Sequence, residues 1–358
     1  MLRAMDSAVA GLRSHQNKMD VVGHNIANVN TFGFKAQTYT FKEAMYQTST
    51  ASTAGGQTGG VNAAQYGYGT LMGSIGMDMT ASTPSYVGGF NASIDGDGFF
   101  ITASSKIGST KGVSKTAFKS EDFDYTRVGQ FLVDSDGYVV DANGNYVYGF
   151  RAKYTVTDVK VGETEDPNKP GTMIDVMKKE ITTTFENDVL QPLRIPLADT
   201  NDGAASELQN LTISDDEGED KASPSITIEI NNIGEISATI RYDITKTNDD
   251  GTTTPAKDSK VVSIGKVAIA TFQNPNGVTK AGGNYYKAKE GDNTGQEIAT
   301  VPGDAGTSTL MGGFLEASNV DLAKEFADMI TTHRGFQANS KMITVSDEML
   351  SDLVAMKR

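Results

Sequence analysis

Apolar residues recur every seven positions at both ends of the chain. Toward the C-terminus, Leu315, Leu322, Met329, Phe336, Ile343 and Leu350 form one row, and Phe326, His333, Ser340, Asp347 and Val354 stand four residues beyond the last five. A seven-residue repeat marks the seam of an α-helix that packs lengthwise on another helix. Ser318, followed three residues later by Asp321, predicts a capping box at the start of this helix. From there to Arg358 the chain has no Pro and a single Gly, Gly335. At 1.5 Å per residue such a helix is roughly 60 Å long. At the other end Met5, Leu12, Met19 and Ile26 are seven apart, as are Ala8, His15, Val22 and Val29. A helix from Leu2 to about Asn28 would stop in the Asn-rich run His24 to Gly33, whose Asn and Gly residues favour the left-handed backbone that ends helices. Each stripe lacks other cover, so the two termini are expected to meet as a coiled-coil-like pair with everything else looping out between them.

Between the helices the period shortens from seven to two. Ser49 to Gly60 is Ser/Thr/Gly-rich and reads as a flexible connector, while Gly69 to Thr80 alternates like a strand. An Asp-Gly turn at Asp95 to Gly98 precedes the aromatic run Phe99 to Ile101. Asp136-Gly137 and Asn143-Gly144 then punctuate alternating segments between Tyr125 and Phe150. Further on, Ile226, Ile228 and Ile230 and then Ile236, Ala238 and Ile240 alternate, and Val261 to Phe272 is apolar and strand-like. Pro167 to Pro170, Asp215 to Asp220 and Asn248 to Gly251 break the pattern as surface loops, and Asn274 to Gly277 reads as a turn. The expected fold is mainly β with α-helical termini and two nested antiparallel β domains. In that scheme 1–32 and 316–358 make the helical pair and 33–85 an extended, partly flexible connector. Residues 86–151 and 261–315 make an inner β domain, and 152–260 an inserted outer one.

Composition narrows the function by exclusion. With 31 basic against 45 acidic residues the net charge is −14, which argues against binding nucleic acid or anionic membrane by charge. No 18-residue apolar run is present, so no membrane insertion is expected. The N-terminus has no secretory h-region, so any export would proceed without a cleaved signal peptide. There is no Cys and there are only three His, so no thiolate nucleophile, Cys-type zinc site or rich catalytic set is on offer. His15 and His333 fall on the seams as tolerated polar residues or as a pH-sensitive contact. Asp141 to Asn145 starts like a calcium loop, but Tyr146 and Ala152 occupy the positions that loop needs for Gly and Glu, so a plain hairpin is the better reading. No catalytic residue, metal ligand or cofactor is expected, and the chain reads as no enzyme. Met5, Met19, Met329, Met342, Met349 and Met356 concentrate in the terminal helices, where an unbranched thioether suits an interface of adaptable geometry.

Longer runs carry a resemblance. AMDSAVAGLRSHQNKMDVVGHNIANVNTFGFK (Ala4 to Lys35) and GGFLEASNVDLAKEFADMITTHRGFQANSKMITVSDEMLSDLVAMKR (Gly312 to Arg358) resemble the terminal signatures of bacterial flagellar axial proteins, the rod and hook family. SIDGDGFFI, YTRVGQFLVDSDGYVVDANGNYVYGF and VAIATFQNPNGVTKAGGNYY resemble its internal motifs, and together these cover about half the chain in order. The resemblance implies a homopolymer with an inner tube of terminal helices and outward β domains, exported through the flagellar export apparatus. Within the family, the 110 or so residues between Phe150 and Val261 favour a subunit of the extracellular hook, a curved flexible tube that transmits motor torque to the filament. A distal rod subunit is the alternative, and a secreted β-rich adhesin is a reading of a different class. By resemblance the neighbours would be the distal rod, the hook–filament junction protein and the hook cap. Assembly is assigned to Met5, Leu12, Met19, Val22, Ile26, Val29, Leu322, Phe326, Met329, Phe336, Ile343 and Leu350.

Overall fold

The computed structural model describes residues 2–55, 59–107, 112–114, 119–165, 173–185, 188–195, 225–247, 253–304 and 307–356. The loops at 167–170, 215–220 and 248–251 lie outside the described residues. The chain is mostly β with two terminal helices and forms two compact units, Met1–Ser82 with Ala317–Arg358, and Thr83–Glu316.

The first unit holds α1 (Leu2–Ala27), β1 (Gln37–Glu43), β2 (Tyr46–Thr50), β3 (Ala64–Gly67), β4 (Thr70–Met77) and the C-terminal α2 (Leu322–Met356). Helix α1 stops in the Asn-rich run: Asn28 Nδ2 donates to His24 O at 2.9 Å, and Gly33 takes a φ of 68°. Helix α2 starts one turn later than the expected capping box. Its N-cap is Asp321, whose Oδ1 accepts the N–H groups of Ala323 (2.9 Å) and Lys324 (3.3 Å). A carboxylate there satisfies free backbone donors and also sits at the positive end of the helix, which a serine hydroxyl cannot match. Residues 317–320 instead form an irregular approach in which Asn319 bridges two backbone segments. Its Oδ1 accepts Ala36 N–H at 2.7 Å, and its Nδ2 donates to Asp78 O at 2.8 Å.

Strand β1 pairs antiparallel with β4 from Gln37↔Met77 to Glu43↔Thr70, with a bulge between Tyr39 and Phe41. Strands β2 and β3 form a second antiparallel ribbon.

The second unit contains β5 (Pro84–Tyr86), β6 (Ala92–Asp95), β7 (Phe99–Ala103), β8 (Val113–Ser114), β9 (Asp124–Thr126), β10 (Phe131–Val133) and β11 (Val139–Asp141). Then come β12 (Tyr146–Glu165), β13 (Met173–Phe185), β14 (Val189–Pro192), β15 (Ser225–Ile230), β16 (Glu235–Thr247) and β17 (Thr253–Val267). The last are β18 (Ile269–Phe272), β19 (Thr279–Gly282), β20 (Tyr285–Lys287), β21 (Glu297–Thr300), β22 (Thr309–Gly312) and β23 (Phe314–Glu316). Fifteen of these strands join one sheet, and β6–β22 and β5–β23 form separate ribbons. The expected turns lie where the Asp-Gly and Asn-Gly pairs are: β10 pairs with β11 across Asp136-Gly137, and Val140 pairs with Tyr146 across Asn143-Gly144. The alternating isoleucines form the β15–β16 hairpin, with Ile230 opposite Ile236.

The core of this unit gathers Ile94, Phe100, Phe131, Val139, Val147, Leu193, Ile236, Val267, Ile269 and Leu310. Every residue of β7 is buried, because both sides of that strand are covered. The Asp95–Gly98 turn before it has a role that its turn chemistry does not reveal. Arg127 is fully buried beside it and donates from Nη1 to Gly98 O (2.6 Å) and from Nη2 to Gly96 O (2.8 Å). The same guanidinium meets the buried Glu316, with Nε 2.9 Å from Oε2. Gly98 is required here, since a Cβ would stand 2.4 Å from Ile269 Cγ2.

Candidate assembly surface of the terminal helices

Helices α1 and α2 run antiparallel. Asn25 meets Glu325, Lys18 meets Asp328, the His15 ring lies against Gly335, and Asn339 lies against Gly11. The face that α2 turns to α1 is largely polar. Glu325, Thr332 and Ser346 are buried and Asn339 half-buried, a row offset by three residues from the apolar heptad. On α1 the buried positions are Ala8, Gly11, Ser14, Val21, Val22 and Asn25. Small residues at the contact let the two backbones approach closely.

The residues assigned to assembly fall in three groups. Val22 is buried in the pair. Met5, Leu12, Met19, Ile26, Val29, Met329, Phe336, Ile343 and Leu350 are half-buried, and Leu322 and Phe326 are exposed. Beside them stand exposed apolar residues outside that set: Val9, Ile330, Met342, Met349, Leu353, Val354 and Met356, with Ile330 62 % and Met356 83 % exposed. Ile330 lies four residues beyond Phe326, which a reading in steps of seven passes over. The helix pair therefore leaves two groups of apolar side chains of α2 facing solvent, Leu322, Phe326 and Ile330 near its start and Met342, Met349, Leu353, Val354 and Met356 toward its end, and exposed apolar groups mark candidate interaction sites.

The electrostatics of the pair follow from burial. Burial holds the carboxyl of Glu325 above the ordinary glutamate range; the hydrogen bond from Asn25 Nδ2 at 3.1 Å opposes the shift and Asp328 adds to it. Burial, with help from Lys18, lowers the His15 imidazole below its usual range, and its Nδ1 is buried with no hydrogen-bond partner. The ring of His15 packs 5.4 Å from that of Phe41. His333 is exposed, and α2 brings Gly335 rather than His333 against His15.

Elsewhere the calcium-like loop is occupied by its own backbone. Asp141 Oδ1 accepts the N–H groups of Asn143 and Asn145, each at 2.9 Å, and its Oδ2 accepts the Tyr285 hydroxyl. Among the described residues no cluster of His, Asp and Glu is placed to hold a metal, and no helix is long and apolar enough to cross a membrane.

Comparison with known proteins matches both ends of the chain. A family model described as "Flagella basal body rod protein" covers residues 5–35, and one described as "Flagellar basal body rod FlgEFG protein C-terminal" covers 311–356. The flagellar basal-body rod protein FlgG of Bacillus subtilis (strain 168) is 32% identical over 360 residues, spanning 100% of both chains. The flagellar hook protein FlgE of Borreliella burgdorferi is 28% identical over 466 residues, again spanning 100% of each. FlgE of Escherichia coli (strain K12) is 25% identical over 439 residues, covering 99% of this chain and 100% of that protein. A crystal structure of Helicobacter pylori flagellar hook protein FlgE2 aligns with 66% of this chain and 100% of its own, at 12% identity and a TM-score of 0.28. That score is too low to assign the fold, which rests on the strand pairing described above.

Proposed function

Because the chain belongs to the flagellar rod and hook protein family, whose members are structural subunits of the flagellum, we propose that it polymerises into the hook. The observation that supports the assembly mechanism is the two groups of apolar side chains of α2 left uncovered by α1. Covering a large apolar side chain contributes about 1.5–3 kcal/mol, so these groups favour lateral contact between copies. Contacts between unlike surfaces that do not close into a ring generate an open helical polymer. Family membership sets aside the adhesin alternative, and the role requires no catalysis and no cofactor.

Support for the hook over the rod comes from the full-length hook relatives and from the segment between Phe150 and Val261. We read 152–260 as an outer domain, 86–151 with 261–315 as an inner one, and the terminal helices as the assembling part. Strands β12 and β17 leave the core side by side, with Gly149 paired to Val267, and continue into that outer segment. In this reading the protein lies outside the cell, is exported unfolded, and adjoins the distal rod, the junction protein and the hook cap. One observation favours the rod: the Bacillus subtilis rod protein aligns along its whole length over 360 residues.

Electron microscopy of the purified, concentrated protein separates the readings. Curved tubes are expected from the full chain and monomers from a version lacking residues 1–32 and 316–358. Straight, rigid tubes would assign the rod. Ile330→Asp should abolish tubes while leaving the helix pair intact, because that side chain is 62 % exposed. Tubes that persist in both Ile330→Asp and Ile343→Asp would overturn the helix assignment.

A further inference from the structure

Three of the helix-to-helix contacts belong to one alignment. From Gly11 to His15 to Asn25, steps of four and ten residues on α1 match steps of four and ten on α2, from Asn339 to Gly335 to Glu325. Each contact is specific in shape or bonding. A Cβ on Gly11 would stand 2.7 Å from Asn339 Nδ2, and one on Gly335 would stand 2.6 Å from the His15 ring. Asn25 has no exposed surface, and β1 holds it in place. It accepts Gln37 N–H at 2.9 Å and donates to Gln37 O at 2.8 Å, which leaves its remaining donor for Glu325 at 3.1 Å.

The apolar rows give no such choice. They repeat every seven residues, so they fit equally well after a slip of one heptad, or against α2 of another copy. In a homopolymer every α1 is surrounded by identical α2 helices. We propose that the Gly11–Asn339, His15–Gly335 and Asn25–Glu325 contacts form a register key, which selects the α2 of the same chain, in one alignment, over slipped pairings and over the α2 of a neighbouring copy. This rests on the chain being a subunit of a homopolymer.

The consequences of a slip can be followed along the seam. In one direction His15 would face Met342 and Asn25 would face Thr332. In the other His15 would face Asp328, and Asn25 would face Ser318, which precedes the helix. Either slip breaks the Asn25–Glu325 bond and moves both glycines from under the side chains they accommodate. Polar and glycine contacts that differ from one heptad to the next fix register in the way a buried polar residue does in a coiled coil, at some expense of stability.

The chain has no cysteine, so introduced pairs report alignment without background. In dilute full-length protein, Ala8→Cys with Met342→Cys reads the native alignment, and Ala8→Cys with Met349→Cys reads a slip of one heptad. Mixing the Ala8→Cys and Met342→Cys single variants reads exchange between copies. The native seam should cross-link 8 to 342 within one chain and show neither of the other products. With Asn25→Leu and Glu325→Leu added, the 8-to-349 and between-copy products should rise to yields comparable with 8 to 342. If that double variant does not fold, Gly335→Ala answers alone, with a several-fold fall in the 8-to-342 product. A folded variant that keeps the native product only, or a native seam that gives no 8-to-342 product, overturns the proposal. Tubes are imaged separately: chains that align as expected yet form no tubes refute the polymer reading and leave the register key standing.

Discussion

Glu325 and Asp321 sit four residues apart and illustrate opposite uses of a carboxylate. Glu325 is buried, and its folded pKa is raised, so the folded pair binds a proton more tightly than the unfolded chain does. Its contribution to stability is fully present below the ordinary glutamate range and is lost as the pH rises through the raised folded value. Glu325→Gln should therefore melt higher than the native protein at pH 7, with the gap closing near pH 4, as followed by helical circular dichroism. An unchanged gap across that range would refute the assignment. Asp321 is exposed and caps the helix through its Oδ1, so Asp321→Ala should cost about 1 kcal/mol in the same melt. Ser318→Ala should be nearly neutral, because that hydroxyl is buried without a partner. The sequence offers Ser318 and Asp321 as one local motif. Which of them caps is decided by Asn319, whose bonds to Ala36 and Asp78 cross the fold and leave no local trace.

At the scale of elements, the period of the pattern was the readable part. Seven-residue rows announce α1 and α2, and Asp-Gly and Asn-Gly pairs announce the hairpins around β10, β11 and β12. What periodicity hides is the face an element buries: on α2 the apolar row is legible, yet the row turned to α1 is Glu325, Thr332, Asn339 and Ser346. Arg127 was missed for a related reason. A lone arginine between two strands looks like surface until the carbonyls of Gly96 and Gly98 and the carboxylate of Glu316 are seen around it. Their side chains are 2% and 1% exposed, so Arg127→Met, which strands a buried charge, should cost about 3–5 kcal/mol in the chemical denaturation of this unit. Arg127→Met with Glu316→Leu removes both charges and should recover most of that loss. If the second substitution recovers nothing, Arg127 stabilises the unit through its bonds to the two glycine carbonyls rather than through its charge on Glu316.

For the whole molecule, the chain order poses a folding problem that the β5–β23 ribbon resolves. From Ala27 to Leu322 roughly 300 residues intervene, and the helices cannot pair until that span is closed. Pro84 is paired with Glu316 and Tyr86 with Phe314, so once Thr83–Glu316 has folded, its two ends leave side by side. Loop-closure entropy grows as (3/2)RT ln n, so shrinking the effective loop from about 300 residues to about 60 lowers its cost by about 1.4 kcal/mol. The helix pair should consequently form last. In stopped-flow refolding, helical signal should lag the burial of the aromatic core, and Ser85→Pro, at an exposed position of the ribbon, should slow the helical phase more than the core phase. Synthesis from the N-terminus thus gives the chain its own timer: α1 is made first, yet it has no mate until α2 of the same molecule has been made and the ribbon between them has closed.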